Sequence, residues 1–272
     1  MRAGVWAASL AVVLGSARAA AVEPPSPSPS PAAVTDQRLV FSTNGSTLTG
    51  GSGGGGGSAT WVGNFAGKVI GAGAEYQTIS NAHWTLVSFS ASVAPGLGTH
   101  LYVDAHEGAG DVGDHAFHYS LVAAGFLTQL DSRLSLQLEE RRIDIDKSHG
   151  NLPKVALSLQ VTRRLLASVS YAYSLGGNLG THLATGRIDY AGSSFSAIAG
   201  ISGGPAAPVV LDLYGKVVAP GPQLREGFVG LGKPLGRTDW LLIGDYQDVA
   251  GTKRTSLSLT CTVHLHAHAQ SQ

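Results

Sequence analysis

Residues Pro153 to Tyr173 read PKVALSLQVTRRLLASVSYAY. From Val155 to Thr162 the residues alternate: Val155, Leu157, Leu159 and Val161 take one phase, and Ala156, Ser158, Gln160 and Thr162 the other. After Arg163-Arg164 the alternation resumes, with Leu165, Ala167, Val169, Tyr171 and Tyr173 set against Leu166, Ser168, Ser170 and Ala172. A period of two is the signature of a β-strand, and two such runs around a tight turn make a hairpin. Each run is roughly ten residues, and strands rising about 3.3 Å per residue at a tilt near 45° climb about 23 Å. That is the height of the apolar band of a membrane barrel.

Working outward, alternation recurs over 69–80, 84–94, 98–107, 114–126, 132–145, 153–163, 165–175, 181–191, 194–203, 222–233, 238–248 and 253–265. In the second run Val87, Phe89, Ala91 and Val93 oppose Ser88, Ser90 and Ser92; in the last, Leu257, Leu259, Cys261 and Val263 oppose Ser258, Thr260, Thr262 and His264. The polar phase is mostly Ser, Thr and Gln, which suits a barrel interior, whereas the wet side of a soluble sandwich carries Lys and Glu. Tight turns at 95–97, 131, 163–164, 192–193 and 234–237 alternate with longer Gly- and Asp-rich connections. That parity gives an even strand number and places both chain ends in the periplasm. It assigns Ala207 to Val218 to an external loop.

The expectation is an all-β fold: a single antiparallel transmembrane β-barrel of about 12 strands over residues 69–265, in a bacterial outer membrane. Residues 1–21 read as a signal peptide, with Arg2, an apolar run from Val5 to Leu14 and Ala17-Arg18-Ala19. Residues 22–68 read as a disordered periplasmic leader, because neither EPPSPSPSP (23–31) nor GGSGGGGGS (50–58) can bury enough apolar surface to offset chain entropy. Residues 266–272 are a His-rich tail.

Composition excludes several classes. Outside the N-terminus no apolar run is long enough for a helical span. With 18 basic and 18 acidic residues, no net field attracts a polyanion, and nucleic acid is not an expected partner. The single cysteine, Cys261, forms no intrachain disulfide and lies far from the signal region, which excludes a lipoprotein.

The short turns followed by apolar or aromatic strand starts (Pro95-Gly96-Leu97-Gly98, Arg163-Arg164-Leu165, Leu235-Gly236-Arg237-Thr238-Asp239-Trp240), with Asn151-Leu152-Pro153 and Thr181-His182-Leu183, resemble the YaiO-like outer-membrane barrels. The resemblance covers roughly residues 69–265. It implies an outer-membrane protein with no established catalytic site. The chain departs from the pattern in running past Leu265 into the His-rich tail and in lacking a helical-repeat segment before the barrel.

Four constellations could carry chemistry. His115, His118 and Ser120, with Glu107, Asp111 and Asp114 near them, contain the residue types of a Ser–His–acid hydrolase, and His118 and Ser120 share a face. Lumen polar packing is the reading preferred for them. Glu139-Glu140-Arg141-Arg142 with Asp144, Asp146 and Lys147 could form a lumen network, bridge lipopolysaccharide phosphates at the rim, or extend the strand into solvent, the last being preferred. His264, His266 and His268 recur at every second position, but a free tail preorganises no metal site. Trp84, Tyr119, Tyr171, Tyr173, Tyr190, Trp240 and Tyr246 read as an interfacial girdle.

No residue is assigned as catalytic, cofactor-binding or metal-binding; the expectation is no enzyme and no cofactor. The expected role is structural, passive passage of a small solute, or envelope or surface-polysaccharide export, with outer-membrane lipids, lipopolysaccharide and the insertion machinery as partners. The alternatives are a Ser/His lipid hydrolase and a secreted soluble ligand binder.

Overall fold

The computed structural model describes residues 36–49, 53–65, 68–79, 82–96, 98–146, 148–175, 182–205, 223–249 and 252–265. The signal peptide, the His-rich tail and the segment 207–218 lie outside them. The described residues form fifteen strands: β1 (Asp36–Leu48), β2 (Gly53–Phe65), β3 (Lys68–Ile79), β4 (Ala82–Gly96), β5 (Thr99–Val112), β6 (His115–Gln129), β7 (Leu134–Ile145), β8 (Ser148–Asn151), β9 (Lys154–Thr162), β10 (Leu165–Tyr173), β11 (His182–Ala191), β12 (Ser196–Pro205), β13 (Gln223–Leu235), β14 (Thr238–Val249) and β15 (Thr252–Leu265). Every pairing is antiparallel; chain neighbours pair in turn, except that β7 pairs with both β8 and β9, and β1 pairs with β15, which closes the sheet into a barrel.

β8 and β9 are one wall strand. Arg142 pairs with Asn151 and Glu139 with Lys154 in a single register, and Leu152 N–H donates to the Arg141 carbonyl between them at 2.6 Å. Pro153 has no N–H to give, but its carbonyl accepts from Tyr173 at 3.0 Å, so the ladder continues through it. The wall therefore has fourteen strands. The twelve expected from the sequence are all present, and the parity argument survives because the two additional ones come as a hairpin.

That hairpin corrects the reading of 22–68 as a disordered leader from Asp36 onward; residues 22–35 lie outside the described residues. β1 pairs with β15 over Gln37–Leu48 and with β2 over Asp36–Thr47, and the glycine run Gly53–Gly57 forms the first part of β2. Composition argued for coil because isolated glycines lose much entropy on ordering. The barrel overrides it because β2 is hydrogen-bonded on both edges, and because a side chain would not fit. A Cβ on Gly56 would collide with the Tyr76 carbonyl and the Gln77 side chain of β3.

The closure has a fixed stagger. Asp36 follows the register through Asn64, Val69, Ser92, Tyr102 and Gly125 to Glu139. Gln137, two residues lower on β7, follows Ala156, Ser170, Thr185, Ser202, Glu226, Gln247 and Arg254 to Leu48. Leu48 lies twelve residues beyond Asp36, and the two-residue step on β7 makes the stagger fourteen. Equal strand and stagger counts give a tilt of about 36° and a backbone diameter of about 26 Å. At that tilt the nine residues of β9 climb about 24 Å, enough to cross an apolar band.

The two faces separate as the alternation requires. Val155, Leu157, Val169, Ile188, Ile201, Val229 and Leu257 point outward and are exposed, Ile201 at 71%. An apolar recess of about 1300 Å³ lies along these outward rows from β7 to β1 and belongs to the apolar outer surface. Facing inward are Ser42, Ser58, Ser88, Ser158, Ser168 and Thr260, all half-buried.

Short turns are chemically specified. The Asp131 carboxylate accepts from Arg133 N–H at 2.7 Å and Leu134 N–H at 2.8 Å, which holds it below the ordinary carboxylate range and fixes the β6–β7 turn. Gly236, at φ +66°, takes the left-handed conformation that the two-residue β13–β14 turn needs.

If the outward rows face lipid, Ile201→Arg, near the middle of β12, costs about 2–4 kcal/mol. Urea unfolding of the protein in lipid vesicles should show that loss, with Ile201→Leu near wild type. Equal midpoints for the two variants would show that this face is not in lipid.

Candidate functional site: the barrel lumen

The inward faces of adjacent strands converge, so side chains distant in sequence meet inside the barrel. On the β3–β7 side, Tyr102 of β5 reaches over β6 to Glu139 of β7. Its hydroxyl donates to Glu139 Oε2 at 2.6 Å and accepts from Gln137 Nε2 at 2.6 Å. Arg141 completes the group by donating to Glu139 Oε1 at 2.7 Å, and the Glu139 side chain has no exposed surface. The crossing depends on Gly125, the residue in register between Tyr102 and Glu139. A Cβ there would stand 2.5 Å from the Tyr102 hydroxyl oxygen.

On the opposite side of the chain order, Glu226 (β13), Gln247 (β14) and Arg254 (β15) lie in one register row, with Asp245 and Ser256 one step below. Gln247 donates to Glu226 Oε1 at 3.2 Å, and the Ser256 hydroxyl donates to Asp245 Oδ2. Glu226 also hydrogen-bonds the Ser202 side chain and lies within electrostatic reach of Asp245 and Arg254. Nearby on β11, Arg187 Nε donates to both oxygens of Asp189 at 2.9 and 2.8 Å, a self-contained pair.

Apolar side chains gather in the half of the lumen next to the longer connections. Leu48, Trp84, Leu86, Tyr119, Leu121 and Leu224 are all buried there, Tyr119 at 1% and Trp84 at 4% exposure. Gly108 of β5 admits them: a Cβ on it would collide with the Leu86 side chain. Serines and threonines, among them Ser42, Ser58, Ser88, Ser168 and Thr260, line other parts of the inner face, where Ile198 and Ile243 are also buried.

Trp84 and Tyr119 correct the girdle expectation, since both face inward. The signal was in the alternation: Trp84 shares the phase of Ser88, Ser90 and Ser92. Tyr171, Tyr173, Trp240 and Tyr246 do face outward and are exposed.

The hydrolase set assembles only in part. His118 Nε2 lies 2.6 Å from Glu107 Oε1, with both side chains more than half exposed, and Ser120 sits opposite Glu107 on the same outward face. No hydrogen bond joins the Ser120 hydroxyl to His118, so the base does not hold the nucleophile's proton. These residues also lie outside the lumen, contrary to the polar-packing expectation, because their phase is that of Val122 and Ala124. Asp111 pairs with His83 at 3.2 Å; His115 and Asp114 flank the exposed β5–β6 turn.

The run 139–144 splits across the wall. Glu139 and Arg141 enter the lumen network, which corrects the solvated-strand reading for them. Arg142 and Asp144 face outward and pair at 2.8 Å, Glu140 is exposed with them, and Asp146 occupies the turn, where its carboxylate accepts from His118 N–H at 2.7 Å. Lys147, His266 and His268 lie outside the described residues. His264 faces inward and binds Asp239 at 2.7 Å. Among the described residues no group of three His, Cys, Asp or Glu is placed to hold a metal ion.

No family model matches this chain, and no curated protein matches it. Solved structures do. A monoaromatic hydrocarbon channel, CymD, superposes with a TM-score of 0.59 at 10% identity, over 86% of this chain and 89% of that one. A FadL homologue of Pseudomonas aeruginosa gives 0.57 at 9% identity over 85% and 90%, and the NanC porin 0.51 at 13% over 83% and 100%. These identities establish a shared fold. The architecture they share with this chain is a closed antiparallel outer-membrane β-barrel.

Tyr102→Phe removes a hydrogen bond to a buried carboxylate and costs about 1.5–3 kcal/mol. Gly125→Ala breaks the same bond by displacing the tyrosine. In denaturant titrations the double variant should therefore lose less than the sum of the two single losses. Additive losses would mean that Gly125 serves something other than the Tyr102–Glu139 crossing.

Proposed function

We propose that this protein is an outer-membrane barrel that lets small solutes pass through its lumen. The observation that carries the reading is the sorting of the wall: apolar side chains outside, and small hydroxyl side chains with two charged networks inside a ring about 26 Å across. Facing the lumen rather than lipid is what makes Glu226, Asp245 and Arg254 tolerable at membrane depth.

The buried apolar end, with Trp84, Leu86 and Tyr119, argues for a selective passage rather than a wide diffusion pore. The CymD barrel named above is itself a hydrocarbon channel, which fits an apolar constriction in this fold. The two long connections, 174–181 and 206–222, fall on the side of the barrel away from the chain ends, which supports periplasmic chain ends. On the same orientation Arg142, Asp144 and Glu140 reach the outer leaflet, where they meet lipopolysaccharide. The likeness to YaiO-like barrels rests on turns and strand starts alone and adds no site.

Two experiments test this. Membrane fractionation with heat-modifiability on a gel should give an outer-membrane protein whose unheated band runs faster; recovery in the soluble periplasm would refute the location. In planar bilayers the protein should conduct, and Gln160→Lys, which places a cation among the lumen hydroxyls, should change the conductance. Silent bilayers at high protein load would refute passage.

A further inference from the structure

The outward face of the wall changes chemistry along β13, β14 and β15. Starting from the end next to the long connections, Arg225, Asp248 and Lys253 form one register row. Gly227, Tyr246 and Thr255 form the next, with Thr47 of β1 opposite Thr255. Val229, Gly244 and Leu257 form the third, with Gly45 of β1 opposite Leu257. Arg225, Lys253, Thr255, Tyr246, Val229 and Leu257 are all exposed. Adjacent rows are two residues apart, so cations, hydroxyls and hydrocarbon follow one another within about 13 Å of wall.

The second and third rows line the apolar recess of about 1300 Å³. Glycines on this face keep it open. A Cβ on Gly45 or Gly186 would meet nothing within 4 Å, and one on Gly227 or Gly244 would come no nearer than 4.0 Å to another atom. None of the four has a positive φ, so neither crowding nor backbone conformation asks for glycine there. What the glycines leave is a groove, and its upper rim is cationic, two bases bracketing one acid. The outward rim of β5–β7 has the opposite balance: Glu107, Glu140 and Asp144 stand with Arg142, which Asp144 already engages.

Resting on the outer-membrane reading but not on conduction, we infer that this groove seats the phosphorylated glycolipid of the outer leaflet, the lipid A portion of lipopolysaccharide. Its phosphates pair with Arg225 and Lys253, its sugars meet the hydroxyls of Thr255, Tyr246 and Thr47, and its acyl chains lie in the recess against Val229 and Leu257. That order, phosphate, sugar and hydrocarbon, is the order of the three rows. The spacing of the cations favours a glycolipid over a phospholipid. Arg225 and Lys253 stand two strands apart, about 10 Å, with Asp248 between them. A disaccharide with a phosphate at each end can offer one to each cation, whereas a phospholipid brings a single phosphate and leaves one cation unmet.

The test uses the full barrel in mild detergent and three probes: lipid A with both phosphates, lipid A stripped of both, and phosphatidylglycerol. Native mass spectrometry reads the bound fraction of each. Diphosphorylated lipid A should bind about tenfold more tightly than either of the others, the scale of one charge-assisted contact. Arg225→Gln combined with Lys253→Gln should remove that advantage and leave the stripped form unchanged. Gly227→Leu and, separately, Gly244→Leu should weaken both forms of lipid A by filling the recess; heat-modifiability reports that each barrel has closed. Closed variants that bind diphosphorylated lipid A like wild type, or phosphatidylglycerol bound as tightly, would overturn the inference. So would a dimer in lipid vesicles that Gly244→Leu breaks apart, since the groove would then seat a second copy of the chain. A barrel that conducts but does not distinguish the probes would refute the groove and keep the passage; one that binds lipid A as expected and never conducts would do the reverse.

Discussion

Lipid offers a peptide group no hydrogen bond, so a sheet that crosses it must pair every strand on both edges and can do so only by closing. Everything else in this structure follows from that closure. Joining β1 to β15 is what allows a run of five glycines to be a strand. Gly53–Gly57 have no propensity for extended structure, but leaving β3 unpaired along its outer half would strand a row of amides. The same logic places the prolines. Pro205 and Pro234 sit at or near strand ends, and Pro153 sits where β8 passes into β9, with its carbonyl still accepting from Tyr173.

Closure also fixes which residue meets which. With fourteen strands and a stagger of fourteen, each register row winds around the wall, and a slip of one residue anywhere would exchange the lumen and lipid faces of the strands beyond it. Such a slip would put Glu226 and Arg254 in the membrane and Val229 and Leu257 in the lumen, an outcome costly enough to specify the register strongly. Glycines do a second job here. Gly125 and Gly108 face inward and leave room over β6 and β5 for side chains from neighbouring strands to meet across them.

Much of this was legible in the residues. Twelve strands and the two faces follow from alternation, because apolar and polar side chains repeat with period two wherever one side meets lipid. The first two strands were not legible: in β2 glycine has no side chain to alternate, and the serine- and threonine-rich β1 is flanked by coil-like composition. The lumen networks were less legible still. Tyr102 and Glu139 are 37 positions apart, and only the closed register shows that a glycine lies between them. Trp84 and Tyr119 misled because aromatics near strand ends usually mark an interface, whereas phase, not position along the strand, decides the side.

The lumen's polar groups differ in how fully they are satisfied. Glu139 has three donors and no exposed surface, which makes it a brace: it ties β5 to β7 across a glycine and has little capacity left for a visitor. Asp245 receives one hydroxyl and keeps one oxygen free, and Gln247 commits its nitrogen and keeps its oxygen free. A fold gains nothing from buried acceptors left vacant, since an apolar pair of similar size would cost less. Such atoms occur on both walls, Glu75 Oε1 and Arg141 Nε on one and Asp245 Oδ1 and Gln247 Oε1 on the other, so closure of the barrel brings polar side chains together without pairing all of them.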